Sequence, residues 1–182
     1  MNNPQPMLAP VIALVAWTAV MWAWMYATRI PAILRLRIRL DGNLPRGEQM
    51  ATLPPRVRWK ADNYNHLLGQ PILFYAIGLS LALLGDTSTV SVALAWSYVA
   101  LRIVHSLWQA LVNVIKVRFV LFAVSSLVLF ALVARAAMQV LGQAGLTRIL
   151  CEGGAGLAAA LIRAGLVDEL AHFSAGALIG AE

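Results

Sequence analysis

The chain has 182 residues, of which 60% are hydrophobic and 12% charged, and its net charge is +6. A water-soluble globular domain carries about 25% charged residues, so composition excludes an ordinary soluble fold, and the length suits one domain. The positive charge does not point to nucleic acid: no groove-reading motif accompanies it, and eight of the fourteen Lys and Arg residues lie between Arg29 and Lys60, flanked by apolar runs, as in a cytoplasmic loop.

Four segments reach the ~20 mostly apolar residues that a spanning helix needs. The first, Met7–Thr28, is uncharged and gathers Trp17, Trp22, Trp24 and Tyr26 toward its end, where aromatic rings favour the membrane–water boundary. It is longer than the ~7–15-residue core of a signal peptide and reads as a retained helix. Arg29 and Pro31 close it. The basic connection that follows is punctuated by Gly42, Pro45, Gly47, Pro54 and Pro55. Pro54-Pro55 cannot sit inside a helix, so the second helix is expected over 57–84, polar at first and apolar from Leu67. Gly85–Ser88 is a tight turn without a basic residue. The third helix is expected over 90–115, Lys116 and Arg118 mark the next connection, and the fourth is expected over 117–141.

Lys and Arg occupy the first and third loops and are absent from the second loop and the N-terminus. That pattern places loops one and three in the cytoplasm and both termini outside. Arg135, near the outer end of the fourth helix, departs from it and is expected to snorkel. Residues 146–182 differ in kind. Arg148–Gly154 reads as a strand and glycine turn, Ala155–Ala164 as a helix stopped by Gly165, and Val167–Ser174 as a second strand. Such a fragment is too short to bury a core of its own. The expected fold is therefore an all-α membrane protein, a four-transmembrane-helix bundle over 1–143, with a short α/β-like C-terminal fragment over 146–182. The lone Cys151 excludes an internal disulfide, and His66, His105 and His172 lie on separate segments without metal-ligand spacing.

Ionisable residues inside spans are functional suspects. Arg102, His105, Gln109, Asn113 and Lys116 recur at intervals of three or four and fall within roughly one quarter of a helix circumference. Arg56, Lys60, Asn63, His66 and Gln70 cover about one third of the second helix by the same arithmetic. Two readings are open. Gln, Asn and His serve as interhelical glue, and Arg56 and Lys60 as a solvated flank. Alternatively, a permanent cation at Arg102 needs an anion from the protein or from a ligand. Asp62 is placed to pair with His66 at i, i+4. Two such faces near the cytoplasmic boundary form a basic cleft suited to a small water-soluble anion meeting an apolar partner dissolved in the bilayer.

The run Asn63-Tyr-Asn-His-Leu-Leu-Gly-Gln-Pro-Ile-Leu-Phe-Tyr75 resembles the second-helix motif of the MAPEG family (membrane-associated proteins in eicosanoid and glutathione metabolism). So does Arg102-Ile-Val-His105, followed by Asn113-Val-Ile-Lys-Val-Arg118-Phe. The resemblance spans about Met7 to Leu141. It implies a homotrimer of four-helix subunits in the lipid bilayer, with glutathione as co-substrate bound between subunits near the cytoplasmic side. The reactions it implies are transfer to lipophilic electrophiles, reduction of lipid hydroperoxides or isomerisation of lipid endoperoxides. Carried over by motif, Arg118 is the catalytic residue beside the thiol, and Asn63, His66, Arg102, His105, Gln109 and Asn113 form the glutathione-binding set. An adjacent cation lowers a thiol pKa, the physical route to a nucleophile at neutral pH. The chain departs from the family at Gly69, where members commonly carry a Glu that holds the glutathione amino group, and at His66, often an Asn. Asp62 is the nearest acid that can substitute.

The tail, Ile149-Leu-Cys-Glu-Gly-Gly-Ala-Gly followed by Leu161-Ile-Arg-Ala-Gly-Leu-Val-Asp-Glu169, resembles the end of the RibD-type reductase domain of riboflavin biosynthesis. Three functional readings follow: a glutathione-dependent membrane transferase or peroxidase, a non-catalytic protein retaining the fold, and an NADPH-dependent reductase role for the tail, which the truncation of that domain disfavours.

Overall fold

A computed structural model of the chain describes residues 5–39, 41–44, 47–146, 159, 162 and 163. The chain divides into two units, Met1–Gly145 and Leu146–Glu182. The strands and helix expected within 146–182 lie almost entirely outside the described residues. Among the described residues the elements of the first unit are all helices: α1 (Leu8–Arg35), α2 (Glu48–Ala51), α3 (Pro55–Leu67), α4 (Pro71–Leu83), α5 (Thr89–Leu111) and α6 (Ile115–Gln143). Helices α1, α5 and α6, and α3 with α4 taken together, make four segments long and apolar enough to cross a membrane. Hydrocarbon offers the backbone no hydrogen-bond partner, which is why each crossing is helical.

The helix ends show where local chemistry overrode the sequence pattern. α1 does not stop at Pro31. The proline removes one N–H, and the helix runs on to Arg35. It ends where Arg37 takes a left-handed backbone (φ 50°), with Arg37 N–H donating to Leu34 O and Ile38 N–H to Ile33 O. That double bond pattern is a Schellman end. The same motif ends α4, with Gly85 at φ 72° and Asp86 N–H donating to Leu81 O. The second span is two helices, not one. Pro71 has no N–H to give Leu67 O, and its ring crowds that carbonyl, so the helix breaks over Leu68–Gln70 and Pro71 restarts it at the first position. α5 ends at Leu111, four residues short of expectation, because Asn113 turns left-handed at φ 56°. Asn is among the residues that tolerate this conformation best.

α5 packs along α6, α1 against α3, and α3 against α5. The main apolar core joins Met7, Val11 and Leu14 of the first span to Phe74 and Leu81 of α4, Ala95 and Tyr98 of α5, and Leu129 and Leu132 of α6. Phe74 stacks on Tyr98 at 4.6 Å between centroids. Gly78 lets α4 approach α1 closely: a Cβ there would lie 2.6 Å from Val11 Cγ2. Outward faces carry large apolar side chains such as Ile12, Leu73, Val104, Leu127 and Phe130, as a lipid-facing surface requires.

At the end of the bundle bearing the α4–α5 turn, Arg135 does not snorkel into solvent. Its Nε donates to Ser91 Oγ (2.7 Å) and its Nη2 to Ser88 Oγ (3.0 Å). Ser91 Oγ and Ser88 N–H in turn donate to the buried carboxylate of Asp86. The serines relay a negative charge to Arg135, and Asp86 also faces the positive end of α5. Gln139 and Gln143 donate to Leu84 O, satisfying a carbonyl at the end of α4.

Candidate functional site

The polar stripe of α5 faces α3 and is closed off inside the subunit: Arg102 and Asn63 are 0% exposed, His105 1% and Gln109 2%. Arg102 survives there without a carboxylate because several weaker partners share the task. Its Nη2 donates to His66 Nδ1 (3.2 Å) and to His66 O (3.1 Å). That carbonyl lies in the last turn of α3, where the Pro71 break leaves the negative end of a helix dipole facing the guanidinium. The rings of Tyr98 and Phe122 lie 6.0 and 5.9 Å from its Cζ, within cation–π range. A guanidinium only donates, so His66 Nδ1 accepts and His66 carries its proton on Nε2. The rings of His66 and His105 sit 4.8 Å apart.

Around the guanidinium, polar atoms remain unmatched. Asn63 Nδ2 donates to Ser106 Oγ (2.7 Å) and Gln70 Nε2 to Ser126 Oγ (2.7 Å). Asn63 Oδ1, Gln70 Oε1, Gln109 Oε1, His105 Nδ1 and Arg102 Nε and Nη1 have no partner. Buried polar groups are nearly always hydrogen-bonded, to water if not to protein, so this seam is a place for bound water or ligand. Ser106 and Ser126 were not singled out in the sequence, since serines are frequent and neither forms a stripe of its own.

The end of the expected stripe goes elsewhere. Because α5 stops at Leu111, Asn113 lies in the α5–α6 turn and Lys116 points to solvent from the first turn of α6. Arg118, half-buried, donates from Nη1 to Asn113 Oδ1 (2.6 Å), and its Nε has no partner. Asp62 is not bonded to His66; the partner of His66 is Arg102. Lys60 is buried rather than solvated, its Nζ bonded to Arg56 O (2.8 Å) and lying 5.1 Å from the Trp24 ring, which ties α3 to α1.

A cleft of about 450 Å3 opens between the end of α1, α2 and α3, lined by Arg29, Met50, Leu53, Arg58, Asp62 and Asn65 among others. None of the seven residues picked from the sequence lines it. Positions 58, 61, 62 and 65 form one face of α3, rotated by about a third of a turn from the Asn63–His66 face. The i, i+3, i+4, i+7 spacing of these residues was readable in the sequence, but Arg29 and Arg58 were absorbed into the count of basic loop residues. Arg58 and Asp62 sit four apart on α3 yet make no hydrogen bond to each other, and Arg58 Nε is buried without a partner. Two cations, an anion and a carboxamide therefore face an open space with apolar walls. Among the described residues no group of three or more His, Cys, Asp or Glu side chains is assembled to hold a metal ion.

The family model described as RibD C-terminal domain matches residues 105–182, starting well before the tail that carries the motif resemblance. Its first part, 105–138, falls on α5 and α6, which are membrane-type helices and not an α/β layer. No curated protein and no solved structure matches the chain. The MAPEG family model matches residues 7–138, most of the chain and all four spans up to the last turns of α6. With that match and the four-span helical architecture, the chain belongs to the MAPEG family, as an integral, multi-pass membrane protein.

Proposed function

We propose that this protein uses glutathione to attack lipophilic electrophiles, or to reduce lipid hydroperoxides, at the cytoplasmic face of the membrane, as a homotrimer. The observation that carries the reading is the cleft of Arg29, Arg58, Asp62 and Asn65. Glutathione bears two carboxylates and one ammonium. Arg29 and Arg58 suit the carboxylates as charge-assisted donors, and Asp62 suits the ammonium, taking the part of the acid that the family places where this chain has Gly69. Four successive crossings put this cleft and the α5–α6 turn with Arg118 at the same end of the bundle. There the guanidinium stabilises the thiolate. In conjugation the thiolate forms a carbon–sulfur bond, the leaving group departs with its electron pair, and the thiol proton passes to solvent. In peroxide reduction two glutathiones are oxidised to the disulfide while the hydroperoxide becomes an alcohol and water. Asn63, His66, Arg102, His105 and Gln109 lie outside this cleft, in the seam between α3 and α5, and Asn113 stands beside Arg118.

A second reading has its own support. The closure of Asn63, Arg102 and His105 inside the subunit, together with Gly69, favours a non-catalytic member whose seam only joins helices. Calorimetry with glutathione on the purified protein in detergent separates the two. Binding at millimolar concentration that is weakened by Asp62→Asn, with turnover of a halonitrobenzene or a lipid hydroperoxide lost in Arg118→Ala, supports the enzyme. Absence of both binding and turnover supports the non-catalytic reading.

A further inference from the structure

We infer that Asn113 is a positioning residue for Arg118; this rests on the glutathione reading above. Two independent observations meet at Asn113. Its backbone is left-handed (φ 56°), one of only two such non-glycine residues among those described, and its backbone N–H donates to Trp108 O (2.8 Å), which anchors the main chain of Asn113 against the end of α5. From that anchored position Oδ1 accepts from Arg118 Nη1 at 2.6 Å. A guanidinium is a rigid planar fork, so holding Nη1 fixes the orientation of the opposite edge, formed by Nε and Nη2. Nε is buried and has no partner. That edge, two parallel N–H donors, is the face that takes an anion bidentately. Asn113 therefore does not bind the co-substrate directly. It aims the anion-binding edge of Arg118, and it spans the α5–α6 turn so that the aim is set by backbone geometry.

The test uses the full chain purified in detergent, with glutathione and a halonitrobenzene as probes. Asn113→Gly keeps the left-handed backbone and removes the carboxamide. It is expected to lower kcat about tenfold, to leave the KM for glutathione unchanged, and to move the acid limb of the pH–rate profile upward as the thiol loses part of its stabilising charge. The ultraviolet absorbance of bound thiolate falls with it. Asn113→Asp keeps an oxygen on Nη1 but offsets the charge, so kcat lies above that of the glycine variant while the acid limb stays displaced. A glycine variant with native kcat, pH profile and thiolate absorbance, alongside an Arg118→Ala variant that has lost turnover, overturns the role of Asn113 and leaves the glutathione reading standing. Native turnover in Arg118→Ala overturns both.

Discussion

A buried cation without a carboxylate is the main residue-scale problem in this protein, and Arg102 meets it with helix-end carbonyl, imidazole and two aromatic faces. Its neighbourhood is finely balanced, because several buried polar atoms there, Arg102 Nε and Nη1 and Asn63 Oδ1 among them, have no partner. Ser106→Ala takes from Asn63 its one side-chain hydrogen bond, and an unsatisfied buried amide costs about 1–3 kcal/mol. The variant is expected to unfold at correspondingly lower denaturant in micelles, and an Asn63→Leu partner change should recover part of the loss. An unchanged midpoint would show that Asn63 is hydrated in the native state. Gly69 makes the opposite case. It is exposed, its φ is not left-handed, and a Cβ there meets only His66 O at 3.5 Å. Nothing in the backbone requires glycine, so Gly69→Glu should fold as the native chain does. If the family's acid serves the glutathione amine, calorimetry should show affinity rising about tenfold, the order of one charge-assisted hydrogen bond; equal affinity would mean that Asp62 already fills that part.

The helices hold together by apolar packing in the half that bears the α4–α5 turn and by polar seams in the half that bears the α5–α6 turn, and the close passage of α4 over α1 is the tightest point of the first kind. Gly78→Ala forces Val11 to move by several tenths of an ångström, and Val11 is β-branched and buried. Overpacking of this sort costs about 1–3 kcal/mol, against roughly 1 kcal/mol gained in helix propensity. The variant is expected to be less stable than the native chain by thermal unfolding in detergent, and the double variant with Val11→Ala should recover most of the deficit. Additive losses would place the two residues out of contact. At the break between α3 and α4 the element-scale logic differs: Pro71 is what turns an intrahelical carbonyl region into a partner for Arg102, so the kink and the buried cation are one feature.

For the whole molecule, the basic first connection and the basic start of α6 lie at one end, and the Asp86–Ser91–Arg135 relay closes the other. Held in that relay, Arg135 does not weigh against the positive-inside pattern. Reporter fusions are expected to place the α1–α3 connection in the cytoplasm and the chain near Gly145 outside; the reverse result would overturn the orientation and move the cleft away from cytoplasmic glutathione. Truncation after Leu146 is expected to leave glutathione binding unchanged, measured by the same calorimetry, because the cleft and Arg118 both belong to the first unit.

The number of crossings, their order and the residues available for chemistry were determined by sequence alone. Hydrocarbon forces each span to be a helix of set length, and the 3.6-residue period fixes which side chains share a face. Arg102, His105 and Gln109 were grouped correctly on that basis and do line one seam. Tertiary structure decided the rest, for two physical reasons. A period holds only while the helix continues, so the stop at Leu111 carried Asn113 and Lys116 off the stripe and the break at Pro71 turned His66 O toward Arg102. A period also gives an angle on one helix and says nothing of the neighbour it meets. The pairing of Asn63 with Ser106, the rescue of Arg135 by two serines, and the gathering of Arg29 with Arg58 and Asp62 across about thirty residues of loop and helix each needed two elements to be brought face to face.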